Sequence, residues 1–455
     1  MTTPNIDDLL LHLGDSPDNE SVEAVTPRTL DVCGGTAFRL VLLLQLRKYK
    51  SRKKPTVDDA WTNWMESIAT SGQIQQLELQ IVDSFNDFLY EHRTTQDIHT
   101  VLWTSFPISD NSSRRLRVVD FLMDGDCPPT LLSHDVVMFS LEHLWRYGNA
   151  SVEVPARYQA FCTPRVLHLV DLSAHLFYFG LLVSYVMHPP YEPTIFHVDG
   201  QLQRTGWREI LLVILSASIL CRSWNWSNIP TFILFSVFML HLPTVPFAGG
   251  LGFDVLLFCF ACHAFQFHFP AAPSPLLLFK RSLPFATFLA RGFYHIIIPF
   301  ILFFLPIFLL ITTWLSIALS ETFLSPSSMI PTPIQTRTTV LYLFFALVSV
   351  ISCALFILVV RGGSLADTRG WDGYSAPIGH NARASFVKAV VAYASPHTFP
   401  APFSLLQMIF IRIPSSLMRR QPAPQAEKLL WQLTVFPISM PLAIFFLVFP
   451  DQWLG

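Results

Sequence analysis

Val166-Leu-His-Leu-Val-Asp-Leu-Ser-Ala-His-Leu-Phe-Tyr-Phe-Gly-Leu-Leu-Val-Ser-Tyr-Val-Met187 is a long apolar run with few polar interruptions. A helix needs about 20 such residues to cross the hydrocarbon core of a bilayer, and this stretch is long enough. It follows Thr163-Pro-Arg165, where the texture of the chain changes from charged to apolar. Further apolar runs occupy 207–222, 229–246, 251–269, 293–319 and 339–360. Six membrane spans are therefore predicted. The second is short, and Pro243 and Pro246 interrupt the end of the third. These two are expected to tilt or to cross only in part.

Composition agrees with a membrane protein. The chain is 51% hydrophobic and only 14% charged, whereas soluble domains carry about 25% charged residues. Residues 1–160 hold 22 acidic and 14 basic residues, a net of −8, and residues 161–455 hold 10 and 16, a net of +6. Acids nearly vanish where the apolar runs begin, as expected of segments in lipid.

Four regions follow. Residues 1–28, with Asp7, Asp8, Asp15, Asp18, Glu20 and Glu23, read as a disordered acidic terminus with no signal peptide. Residues 29–160 read as a cytosolic helical domain without strand signals. Its helices are expected at 36–50, too short to span and so packed inside the domain, at 73–92 and at 134–147. In the second, Ile74, Leu77, Ile81, Phe85, Phe88 and Leu89 recur at helical spacing. Residues 161–361 form the six-span domain. Residues 362–455 return to amphipathic and membrane-associated helices, and the apolar stretch 429–449 is either a seventh span or, as favoured, a re-entrant or interfacial helix. The fold class is thus all-α, a helical N-terminal domain followed by a transmembrane bundle. Trp207, Trp224 and Trp226 flank the second span as an aromatic belt would. The basic residues Lys280, Arg281 and Arg291 after the fourth span, and Arg361, Arg369, Arg383 and Lys388 after the sixth, fall on the N-terminal side of the membrane. That satisfies the positive-inside rule.

Few residues carry chemistry. The basic run Arg47, Lys48, Lys50, Arg52, Lys53 and Lys54 reads either as a lipid-headgroup contact or as a solvated helix end. Asp254, near the start of the fourth span, reads equally as a functional group at membrane depth or as a structural helix-end acid. Lys280 and Arg281 read as topological anchors or lipid-phosphate contacts. Cys259-x-x-Cys262-His263 with His268 lacks a second cysteine pair and reads as small buried side chains and not as a metal site. The histidines form no iron-binding boxes, and there is no nucleophile elbow or phosphate-cradling loop. No enzyme activity, cofactor or nucleic-acid partner is expected, and the seven scattered cysteines suggest no disulfide framework.

Several stretches resemble one family. Ala384-Ser-Phe-Val-Lys-Ala-Val-Val-Ala-Tyr-Ala-Ser-Pro396, then Phe399-Pro-Ala-Pro-Phe-Ser-Leu-Leu-Gln-Met-Ile-Phe410 and Ile413-Pro414, look like the post-pore region of fungal vacuolar TRP-type cation channels, the yeast vacuolar calcium-conductance family. Phe436-Pro-Ile-Ser-Met-Pro-Leu442 is similar to that family's last apolar segment, Ser223-Trp-Asn-Trp-Ser-Asn-Ile229 to the opening of its third span, Leu251-Gly-Phe-Asp-Val-Leu256 to that of its fourth, and Thr163-Pro-Arg-Val166 to that of its first. The resemblance covers most of residues 135–450.

It implies a calcium-permeable homotetramer in the bilayer of a vacuole or other endomembrane, the plasma membrane being the alternative, with a pore between spans five and six. Glu321, Thr312, Thr313 and Ser352 would then face the ion pathway, and Asp254, Asn225, Lys280 and Arg281 would serve gating or structure. The chain departs from the family in that pore loop. Residues 320–338 contain Pro326, Pro331 and Pro333, no glycine and one carboxylate, Glu321. Prolines leave little room for a pore helix, although four copies of Glu321 would give an acidic ring. Gln407 stands where the family has a glutamate. Two further readings therefore stay open: a non-conducting scaffold or regulatory subunit on the channel fold, and a small-solute or lipid transporter.

Overall fold

The structure is a computed structural model that describes residues 22, 25–27, 30–52, 60–108, 115–148, 163–190, 206–222, 228–242, 244–247, 251–267, 269–279, 282–297, 299, 302–303, 370–395, 397–418 and 424–448. The expected pore loop 320–338, the sixth run 339–360 and residues Asn225, Lys280, Arg281, Lys53, Lys54, Thr312, Thr313, Glu321 and Ser352 lie outside the described residues. The chain forms two compact units, Met1–Phe279 with Arg383–Gly455, and Lys280–Ala382. The described residues are helical apart from connections and one two-residue ladder, Phe106–Pro107 (β1) against Arg115–Leu116 (β2). That ladder is too short to leave a period-two pattern, so the sequence gives no strand signal for it.

The N-terminal helices are Val32–Arg52 (α1), Ala60–Glu91 (α2), Thr95–Trp103 (α3), Val118–Asp124 (α4), Pro129–Leu132 (α5) and Asp135–Tyr147 (α6). The helix expected at 36–50 is the centre of this group. Phe38, Leu40, Val41, Leu42, Leu43, Leu44 and Leu46 are all buried. A helix apolar on every side must be wrapped by others, and α2, α3 and α4 wrap α1. From α2 it receives a single face, Leu77, Ile81, Phe85 and Phe88. Arg47 fixes the register, donating to Glu78 at 2.6 and 2.9 Å, and Lys50 Nζ meets Gln73 Oε1 at 3.0 Å. Thr94 caps α3 through the Asp97 amide, which satisfies an otherwise orphaned N–H.

The apolar runs become Pro164–Met187 (α7), Trp207–Arg222 (α8), Ile229–His241 (α9) and Leu251–Gln266 (α10). Each packs on the next and α10 returns to α7, closing a four-helix bundle. Its core is Tyr178, Leu182, Tyr185, Leu212, Leu234, Phe238, Leu256 and Cys259. Thr163 caps α7 with Pro164 in the first turn, where a missing N–H costs nothing. At the other end Arg208 donates to the Ser184 and His188 carbonyls at 3.1 and 3.2 Å, and its guanidinium stacks on Tyr185 at 4.9 Å. The last carbonyls of α7 thus gain the cation that a helix C-terminus favours. Among the described residues α7 is the one helix long and apolar enough to cross a membrane; α9, α10 and the run Ala401–Leu417 are shorter apolar helices.

The second unit contains Ser282–Gly292 (α11), which continues into a π-turn at Phe293–Ile297. Within it Phe288 stacks on Tyr374 at 5.3 Å. The unit boundary falls inside Ala376–Ala394 (α12). Then come Ala401–Gln407 (α13), a π-turn at Met408–Arg412, Ile413–Leu417 (α14), Pro424–Thr434 (α15) and Phe436–Val448 (α16). The stretch expected at 429–449 is therefore two helices broken at Val435. α13 lies along α8 and touches α7, and α16 also packs on α7.

Candidate functional site

Asp171 sits two turns into α7 with no exposed side-chain surface. Both of its oxygens are engaged. Oδ2 receives Arg222 Nη1, from the last turn of α8, and the Tyr393 hydroxyl of α12 at 2.6 Å. Oδ1 accepts the Ala401 amide at the start of α13 at 2.9 Å. One carboxylate thereby joins four helices, and α8, α12 and α13 each contribute one donor to it. Arg222 also stacks on the Tyr393 ring, 5.1 Å from its centroid. Burial, and then the Asp171 charge beside it, push the Tyr393 hydroxyl well above its ordinary range. The phenol therefore stays protonated and donates.

Aromatic rings cover the joint. His168, one turn before Asp171, is fully buried beside Tyr393 at 5.4 Å and Trp145 of α6 at 5.5 Å. Its Nε2 accepts the Ser274 amide at 3.4 Å, which assigns the ring proton to Nδ1. Trp145 also meets Phe386 of α12 at 5.8 Å. The N-terminal helices, the first apolar helix and the C-terminal segment thus share one aromatic cluster. One turn into α13, Ser404 donates to the Ser218 carbonyl of α8, and the two buried hydroxyls lie 3.0 Å apart.

This arrangement joins α7, α8, α12 and α13. The carboxylate is paired with one cation, Arg222, and accepts two further donors, the Tyr393 hydroxyl and the Ala401 amide, so its charge is balanced within the cluster. Removing one partner of a buried ion pair leaves an uncompensated charge, at about 3–5 kcal/mol.

Those residues singled out in the sequence that the structure describes lie elsewhere. Asp254 is exposed in the first turn of α10, where a carboxylate complements the helix dipole. Of the basic run, Arg47 is committed to Glu78 and the Asp126 carbonyl, and Lys48 to Asp124 and Asp126 at 3.4 and 2.7 Å. Arg52 remains 70% exposed beside Asp126. Cys259 is buried, and His263 directs its ring nitrogens to Gln266 at 3.1 Å and Thr231 at 3.5 Å. Sequence reasoning missed Asp171, Arg222 and Tyr393. The signal was there: Val170-Asp171-Leu172 places a carboxylate inside a span, the same rule that drew attention to Asp254.

No family model matches this chain. Nothing among curated proteins matches it either.

Proposed function

We propose that the chain is a multi-pass membrane protein and a divergent subunit of a TRP-type cation channel, assembled as a homotetramer in a fungal endomembrane with its N-terminal helices in the cytosol. One observation carries this reading. The stretch with the strongest family likeness, 384–414, is the one whose Tyr393, Ala401 and Ser404 bind the first two apolar helices through Asp171 and Ser218. The family-like segment is thus held against the first two apolar helices. The bundle's outer surface adds support. Phe177 on α7, Ile214 on α8, Leu240 on α9, Phe258 on α10 and Phe410 after α13 are all exposed. Soluble proteins avoid extended apolar surface of this kind, and lipid accepts it.

In this reading α7 to α10 are four of six spans. Calcium or another cation passes between the fifth and sixth, past Thr312, Thr313, Ser352 and a ring of Glu321. Purified full-length protein in planar bilayers tests it. A cation current under stretch, voltage or calcium is expected, with conductance reduced in Glu321→Gln; no current under any of the three overturns the channel. A second reading, a non-conducting regulatory subunit, is favoured by Pro326, Pro331 and Pro333 in the pore loop. It requires that a Gly-Ser linker replacing 320–338 leave the cellular phenotype intact.

A further inference from the structure

The joint at Asp171 is polar where an apolar one would hold as well. Buried ion pairs add little net stability over well-packed hydrophobic residues, and their best-attested use is to specify a register or a switch. The partners divide unevenly. Arg222, Asp171 and His175, whose Nδ1 lies 3.7 Å from Asp171 Oδ1, all belong to the four-helix bundle, and the remaining donors come from the single stretch Tyr393–Ser404. That stretch can leave without stranding a charge, because the Asp171–Arg222 pair stays whole.

The backbone just beyond it is built to bend. Met408–Arg412 is a π-turn, a feature that interrupts the regular ladder and often marks functional positions. Pro414 follows two residues later; it has no N–H to give the Phe410 carbonyl and its ring crowds that carbonyl. The helical run Ala401–Leu417 is therefore clamped at its start and weakened in its middle. Past the weak point Ile413, Leu417 and Met418 are exposed.

We propose that the Asp171 cluster is a latch and the π-turn its hinge: Tyr393, Ala401 and Ser404 release together, and the Arg383–Gln407 segment swings off α7 and α8 about Met408–Arg412. The opening is two-state, because the docked form needs all three donors aligned at once and the released form needs none. Trp145 and His168 lose their contacts with Phe386 and Tyr393 in the same movement, which makes the N-terminal helices sensitive to it. The inference does not require the chain to conduct.

Pulsed spin-label distances on the full-length protein in nanodiscs, in a cysteine-depleted background, test it. One pair joins Ser173 on α7 to Lys388 on α12, both exposed. A control pair joins Ser173 to the exposed Leu257 on α10. The unmodified latch should give a dominant short distance for the first pair and a minor longer one. Tyr393→Phe and Ser404→Ala should each raise the longer population several-fold, leaving the control pair unchanged. A single unaltered distance in both variants overturns the latch. So does a control distance that broadens with the first, since the cluster would then be a pillar of the fold. No current is measured, so the outcome stands apart from the test of conduction.

Discussion

Asp171 takes donors from three other helices, and its energetics can be read by substitution. Asp171→Ala strands the Arg222 guanidinium and the Ala401 amide. A loss of about 3–5 kcal/mol is expected, read as a fall in the thermal unfolding midpoint in detergent. The double variant Asp171→Leu with Arg222→Met removes both charges, and most of that loss should return. If the double variant is as unstable as the single one, the ion pair is not the source of the cost. His99, outside the apolar helices, supplies a pH test. Burial lowers its pKa below the ordinary value of 6.5, and its ring stacks on Trp103 at 5.8 Å. A lowered histidine pKa means that the unfolded chain binds the proton first. Its stabilising effect is therefore present above pH 6.5 and is lost as pH falls below it. His99→Gln should flatten that acid limb of protection in hydrogen exchange of α3; an unchanged limb would assign it to another group. The sequence showed Asp171 as plainly as Asp254. What it could not show was distance: Arg222 and Tyr393 are 51 and 222 positions away, and no local pattern links them. Asp254 drew notice as an ionisable group near the start of a span, and it lies exposed in the first turn of α10.

At the scale of elements, periodicity and length were the legible quantities. The run at 166–187 became Pro164–Met187, and the helix at 134–147 became Asp135–Tyr147, starting at a His134 cap. The amphipathic helix read at 73–92 starts earlier, at Ala60, because its first turns are rich in Thr, Ser and Asn and end in Gly72, which weakens the helical signal. Helix crossings were not legible, and Gly252 illustrates why. A Cβ there would stand 2.5 Å from the His241 ring and 3.4 Å from Val237, so α9 approaches the backbone of α10. Gly252→Ala gains about 1 kcal/mol of helix propensity but forces an overpacking cost of about 1–3 kcal/mol. The net expectation is a lower unfolding midpoint. In a His241→Ala background the clash is gone and the same change should stabilise. A Gly252→Ala effect of one sign in both backgrounds would mean that the two helices are not in this close approach.

At the scale of the whole molecule, composition announced lipid more clearly than any one helix does. Among the described residues α7 alone has the length and hydropathy of a complete span, while α8, α9 and α10 are 16, 13 and 16 residues long. At 1.5 Å per residue the shorter helices cover about 20–24 Å, less than the roughly 30 Å of a hydrocarbon core. They remain compatible with a bilayer if it thins locally or if polar flanks reach out to the interface. In the membrane reading proposed above, the exposed apolar face lies in lipid. A lipid-dissolved photoactivated carbene should therefore label peptides containing Phe177, Leu240, Phe258 and Phe410. It should spare those containing Phe85 and Phe121, which are buried in the N-terminal helices. The protein should also stay with membranes through alkaline carbonate washing. Release by carbonate, or equal labelling of the N-terminal helices, would sink the membrane reading and the channel with it. Labelling confined to α7 would instead reduce the membrane part to one span and leave α8 to α10 packed against it outside the lipid.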